Sequence, residues 1–363
     1  MKKKPNLKTD FLGILMNEKN PNRLIIPSIE EDCILSKGLE TEELEETSDE
    51  IVEISPCASE RGKVMAEVDL SQKEGKPLLD SNVLCFLLEA YKDHFAEMKC
   101  SSRLGIGRVM WKAYRIYMYQ KGKFKIRFAH NREDAIKMLN SIERIILSSI
   151  ICKKCEKPAI ECILNKCESC ASNNSPQIIK LENFFNGPFL VRGIEAIEEA
   201  IREGLQINHK SLLEKESWPS EINGKIKRRL HEAVEYSMNF CLETSENENL
   251  KIGIVLIALA KKNLSLLEEE QAVIEMKESE IWRKNKETIG ELFKLLWKIN
   301  EDMLKICKRD KQNIENIQNR IAEVRNKINK IRKNEKEIDF EENLERIEKE
   351  TRNSEEFIKK IKM

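Results

Sequence analysis

The sequence predicts a mainly α fold: a helical domain built around a four-cysteine knuckle, a further helical region, and a C-terminal coiled coil. Three observations carry this expectation. Apolar residues recur every three or four positions through the middle of the chain, an isoleucine-rich seam keeps that spacing near the C-terminus, and two Cys-x2-Cys pairs fall close together within 152–170.

The bulk numbers fit such a fold. Of 363 residues, 40% are hydrophobic and 35% charged. That is too apolar for a wholly disordered chain and too charged for one compact globule, so helices with solvated faces are expected. Lys+Arg and Asp+Glu both total 63, so only the distribution of charge bears on partners. The best apolar run, 252–260, falls well short of the ~20 residues of a membrane span and reads as a buried helix or strand. The Met-Lys-Lys-Lys-Pro start lacks the apolar stretch of a secretory signal. A cytoplasmic protein with reduced cysteines is therefore expected, not a disulfide framework. Cys33, Cys57, Cys85, Cys100, Cys241 and Cys307 then read as small buried apolar residues.

Residues 1–80 read as an acidic, largely disordered region, since 30–53 carries eleven acidic side chains and one lysine. Residues 81–175 read as a basic helical domain. Asp80 or Ser81 caps a first helix through Val83, Leu84, Leu87, Leu88 and Tyr91. A second carries Val109, Met110, Ala113, Ile116 and Tyr117, and a third Ala135, Ile136, Leu139, Ile142, Ile145 and Ile146. Residues 176–285 continue as a helical domain with a stripe of Ile194, Ile197, Ala200 and Ile201. Over 286–363, Ile314, Ile317, Ile321, Val324, Ile328 and Ile331 form a coiled-coil seam, which implies an oligomer. Asn300 and Asp310 fall in its backward extension, where a polar residue specifies register. The same period also suits an antiparallel hairpin within one chain.

The cysteines suggest chemistry. A Cys-x2-Cys turn offers two thiolates to one ion, and a second such turn completes a tetrahedron. Cys152, Cys155, Cys167 and Cys170 are thus the expected ligands of one Zn2+ ion, with no histidine nearby. Four thiolates leave no open position for a substrate, so the ion is structural. Cys162 is a fifth cysteine that could replace one ligand or sit free. An iron–sulfur cluster uses the same residue type.

Between 99 and 132 there are ten Lys or Arg residues and no Asp or Glu. Such a surface holds phosphate backbones through counterion release. Arg103, Arg108, Lys112, Arg115, Lys121, Lys123, Lys125 and Arg127 are the expected contacts to double-stranded DNA, with Arg108, Lys112 and Arg115 near one helical face. Trp111 and Tyr117 are expected in the core. A solvated face, or a surface that pairs with the acidic 30–53 stretch, is the plainer alternative.

Residues 81–170 resemble the C subunit of the bacterial flagellar master regulator, the FlhC family. The resemblance rests on Ser81-Asn-Val-Leu-Cys-Phe-Leu-Leu-Glu-Ala-Tyr91 and on Lys112-Ala-Tyr-Arg-Ile-Tyr-Met118, close to the family's Lys-Ala-Tyr-Arg-Leu-Tyr-Leu. The 33 residues from Met118 to Cys152 agree with the family's gap before its zinc-binding cysteine pairs. The resemblance implies a DNA-binding transcriptional activator that works with an FlhD-like subunit and RNA polymerase. It covers about a quarter of the chain, the cysteine pairs are closer together here, and residues 1–80 and those after Cys170 have no counterpart.

The expected function is thus a DNA-binding regulator with a structural zinc site. The competing reading is a coiled-coil scaffold whose basic segment meets an acidic protein or a membrane surface. An enzyme is not expected: the four histidines are dispersed, and Gly105-Ile-Gly107 lacks the remainder of a dinucleotide fingerprint.

Overall fold

In the computed structural model the described residues are 23–26, 33–37, 52–57, 62–70, 76–163, 170, 177–180, 188–207, 220–244, 247–276, 280–307, 311–334 and 338–362. In chain order they form β1 (Arg23–Ile26), α1 (Ile34–Lys37), β2 (Val52–Pro56), β3 (Val64–Asp69), α2 (Ser81–Ala90), β4 (Glu97–Ser101), β5 (Ile106–Trp111), β6 (Tyr114–Tyr119), β7 (Lys123–Ala129), α3 (Arg132–Ile146), α4 (Ala159–Ile163), β8 (Gln177–Lys180), α5 (Pro188–Gln206), α6 (Ser220–Glu243), α7 (Asn247–Glu275), α8 (Glu280–Cys307), α9 (Lys311–Asn334) and α10 (Ile338–Lys362).

The basic domain is not helical throughout, which corrects the mainly α expectation. Strands β2 to β7 make a six-stranded antiparallel sheet in the order β2-β3-β7-β6-β5-β4. β1 and β8 pair separately. The helix expected over 109–117 is the β5–β6 hairpin, closed by Lys112 and Ala113 with Trp111 opposite Tyr114. Lys112 takes a left-handed φ of 54° in that turn. The misleading spacing has a simple origin. Val109 and Ile116 are buried on opposite arms, while Ala113, which links them at helical intervals, is an exposed turn residue. Within each strand burial alternates with period two, and the Val, Ile, Trp and Tyr content favours strand. β2 and β3, which pair with each other, lie within the region read as largely disordered; β3 joins them to the sheet through β7, far along the chain, a pairing that no local pattern announces. Much of the acidic 30–53 stretch lies outside the described residues.

One sheet face is the core. Ala66, Val68, Val109, Trp111, Ile116, Met118, Phe124 and Ile126 are buried there against Leu84 and Leu88 of α2 and Leu139 and Ile142 of α3. Both helices occur where their spacing predicts. Asp80 caps α2, accepting from the Val83 N–H at 2.9 Å, and Asn131 caps α3, accepting from the Asp134 N–H at 2.8 Å. Gly107 lets α2 approach closely: a Cβ there would lie 2.9 Å from a Leu88 methyl.

Where α2 crosses β4, Cys85 and Cys100 form a disulfide. This corrects the expectation that all cysteines stay reduced. The inward-facing side of β4 brings the two Cα atoms to 5.4 Å, within bridging range. The closed loop spans 15 residues, for which chain entropy gives ~3 kcal/mol of stabilisation. Cys85→Ala with Cys100→Ala should lower unfolding stability by about 2–3 kcal/mol in urea titration, and an unchanged midpoint would contradict that contribution. Cys241 is a buried apolar cysteine as expected, and burial pushes its thiol up to about 12.

On their far side α2 and α3 meet the helical region. The Tyr91 hydroxyl donates to Asn239 at 2.6 Å, and Arg144 donates to the Leu242 carbonyl. α7 runs through its centre with 252–260 wholly buried, which settles the apolar run as a core helix. No described helix is long and apolar enough to cross a membrane.

The structure shows no C-terminal coiled coil among the described residues. Ile317, Ile321, Val324, Ile328 and Ile331 are buried, but against helices of the same chain. Asp302 pairs with Arg320 and Glu291 with Lys327 between α8 and α9. Arg325 pairs with Glu355 and Arg332 with Glu348 between α9 and α10. In each couple one number rises as the other falls, so the helices are antiparallel. α7 closes the ring: Glu270 accepts from the Trp297 indole of α8, and Lys262 donates to Ser354 of α10. The result is an antiparallel four-helix arrangement. The seam period could not show this, because three-and-four spacing describes an apolar stripe and not the chain that covers it. Asn300 is polar in the seam because it donates to Asn263 of α7 at 3.0 Å. Asp310 lies outside the described residues.

Candidate metal centre and basic sheet face

The knuckle begins where the chain leaves α3. Ile150 bridges to Leu79 and Ile151 to Pro158, so the chain reverses between them. The Cys152 N–H donates to the Lys157 carbonyl at 2.9 Å, and the Glu156 N–H to the Cys152 carbonyl at 2.8 Å. Glu156 takes a left-handed φ of 57° to close this turn. α4 follows at once and carries Cys162 back towards Cys152.

The thiols of Cys33, Cys152, Cys162 and Cys170 lie within 4.8 Å of one another, and all four residues are buried. Cys152 and Cys170 Sγ are 3.5 Å apart. Four sulfurs held ~2.3 Å from one ion at tetrahedral corners sit roughly 3.8 Å from each other, so the cluster has the size of a single-ion site. These four cysteines can hold a metal ion. The Cys33 thiol is pulled down to about 6 by its hydrogen bond with Cys162, against the opposing effect of burial, with further bonds from the Leu35 backbone, Cys170 and Cys152. A site that favours thiolate is one that suits a cation.

Two of the four sequence-expected ligands, Cys152 and Cys170, are in the cluster. Cys155 stands beside it, partly exposed, with its Sγ 3.4 Å from that of Cys162. Cys167 lies outside the described residues. Cys162, the fifth cysteine of the run, takes a corner. Cys33 had no local signal at all: it precedes α1, in the acidic region, and reaches the knuckle through tertiary packing of Leu35 into the core.

The basic residues are redistributed by the sheet. Arg108 on β5, Arg115 on β6, and Lys123, Lys125 and Arg127 on β7 point away from the core, as does Lys99 on β4. Arg108, Lys112 and Arg115 therefore do not share a helical face: Lys112 occupies the hairpin turn between the strands that carry the other two. Arg103 and Lys121 are exposed in turns. Trp111 is in the core as expected, but Tyr117 is not; it lies half-exposed on the outer face with Tyr119.

Acid-free in sequence is not acid-free in space. Glu67 of β3 binds Lys123 and, at 2.8 Å, Lys125. Burial raises the Glu67 carboxyl, but its hydrogen bonds with Lys123 and Lys125 outweigh this and hold it below the usual range. The carboxylate is therefore ionised at neutral pH, and the clamp is lost only as pH falls through the carboxylate range. Glu97 of β4 similarly binds Arg108. The centre of the face keeps Arg115 and Arg127 directly opposite each other, both over the Phe128 ring at 5.6 and 5.5 Å. The Nε of Arg115 is buried and makes no hydrogen bond.

No family model, curated protein or solved structure matches the chain.

Proposed function

We propose that this protein binds nucleic acid through the outer face of its sheet, with a structural Zn2+ ion held by Cys33, Cys152, Cys162 and Cys170. The observation that carries the reading is the collection of Lys99, Arg108, Arg115, Lys123, Lys125 and Arg127 on one face, the opposite side from the helices α2 and α3. Phosphates are the natural counter-charge for such a surface. The zinc would be closed to substrate and would tie the segment at Cys33 to the knuckle, fixing the layer behind the sheet. A transcriptional role beside an FlhD-like subunit and RNA polymerase belongs to the same proposal and rests on the resemblance alone. The scaffold reading loses its main support, since the seam helices are consumed within the chain.

The test uses the full zinc-loaded chain and labelled oligonucleotides at several salt concentrations. Binding should weaken linearly in log–log salt plots. Glu67→Gln should tighten it, because two lysines are released, and should steepen the slope by roughly 0.7–0.9 per released charge that reaches a phosphate. Absence of binding at low salt would overturn the proposal.

A further inference from the structure

We infer that Cys155 is a peroxide-oxidation site: a hydroperoxide joins its sulfur to that of Cys162 as a disulfide, which removes one corner of the metal centre and releases the ion. The inference rests on the proposed Zn2+ ion at Cys33, Cys152, Cys162 and Cys170, and gives the fifth cysteine of the knuckle a task.

A tetrahedral ion takes four thiolates, and Cys33, Cys152, Cys162 and Cys170 supply them from buried positions. Cys155 stands outside that tetrahedron and is partly exposed. A small oxidant arriving from solvent therefore meets Cys155 first. Thiol oxidation follows exposure, and it proceeds to a reversible disulfide where a second cysteine stands close enough to resolve the sulfenic acid. Cys162 is that second cysteine, its Sγ 3.4 Å from the Sγ of Cys155. Cys152 and Cys170 are about as close, at 3.5 Å, but both are buried corners of the cluster.

The backbone presents the pair. The Glu156 N–H donates to the Cys152 carbonyl at 2.8 Å, and Glu156 takes its left-handed φ of 57°, so the chain turns directly after Cys155. α4 then starts at Ala159 and returns Cys162 to the same place. A disulfide holds its sulfurs about 2.05 Å apart, so the two must approach by about 1.4 Å.

The chemistry balances. Hydrogen peroxide oxidises Cys155 to the sulfenic acid and leaves as water. The Cys162 thiolate attacks that sulfur, the S–S bond forms, and hydroxide departs. One thiol, one thiolate and one peroxide thus give one disulfide, one water and one hydroxide. Each sulfur gives up one electron, the O–O bond is reduced, and the ion keeps its charge. Three thiolates no longer close the tetrahedron, and the segment at Cys33 loses its tie to the knuckle. A dithiol reductant reverses the bond.

The test treats the full zinc-loaded chain with hydrogen peroxide and follows zinc release with a chromogenic chelator. Trypsin does not cut between Lys157 and Pro158, so one peptide, 155–166, carries both cysteines. After oxidation and alkylation this peptide should be lighter by two hydrogens and closed to the alkylating agent, with one zinc released for each closed peptide. Dithiothreitol with added zinc should restore the starting state. Cys155→Ser should hold its zinc before treatment and release it roughly tenfold more slowly, because peroxide must then reach a buried thiolate. Peptide mapping of the wild type decides even where that variant is misfolded. Zinc released while both cysteines of 155–166 are alkylated, a closed peptide with zinc retained, or equally fast release from a folded Cys155→Ser would overturn the oxidation site and leave the metal centre standing. A reduced wild type that binds no zinc would overturn both.

Discussion

With the proposed Zn2+ ion bound, Cys162→Ser should cost the protein that metal and, with it, the folded knuckle, whereas Cys155→Ser should leave one zinc per chain. Cys162 is buried among Cys33, Cys152 and Cys170 at single-ion spacing, while Cys155 stands partly exposed beside them, its Sγ 3.4 Å from that of Cys162. Structural zinc contributes on the order of 10 kcal/mol to folding at neutral pH, which is comparable to the whole stability of a typical domain. Removing one thiolate from a closed site therefore acts on the fold and not on affinity alone. Cys33→Ser should behave like Cys162→Ser, and would show that the metal joins the N-terminal segment to residues beyond α3. Metal analysis on purified variants, with cobalt substitution to report the number of thiolates, reads both results. Metal retained in Cys162→Ser and lost in Cys155→Ser would restore the two Cys-x2-Cys pairs as the ligand set.

Asp302→Ala should cost the helical region about 3 kcal/mol of unfolding stability. The Asp302 carboxylate is almost wholly buried and pairs with Arg320 across the α8–α9 contact. Truncation leaves a guanidinium in a mostly apolar interface. Breaking a buried pair costs roughly 3–5 kcal/mol, and the lower end applies because the Arg320 side chain is 24% exposed and can reach water. Replacing both partners by apolar residues, Asp302→Leu with Arg320→Met, should recover most of the loss, since the pair's own desolvation then disappears. Urea midpoints of the two variants check this. A single variant as stable as wild type would mean the pair contributes little to holding α8 against α9.

The two clear helices of the basic domain were legible because their signals are local. Asp80 and Asn131 cap them, and the apolar residues of each helix repeat on one face. The isoleucine stripe of α9 was legible for the same reason, but its partner was not: a period specifies which residues are buried and is silent about whether α8 or a second chain buries them. The β5–β6 hairpin was misread because a two-residue turn shifts the phase of alternation, so that Val109, Ala113 and Ile116 fall at helical intervals. Here residue type was the better guide than spacing.

The sites divide along the same line. The order of residues alone determined that a thiol-rich knuckle follows α3 and that positive charge concentrates between 99 and 132, since composition along the chain requires no fold to be read. Tertiary structure decided which thiols meet and which cations remain available. Cys33 reaches the knuckle from far upstream and displaces Cys155 from the cluster. Glu67 and Glu97 arrive from strands outside or at the edge of the basic run and neutralise part of it. Both outcomes depend on distance in space, which a long loop or a sheet pairing sets without leaving a mark in the neighbouring residues.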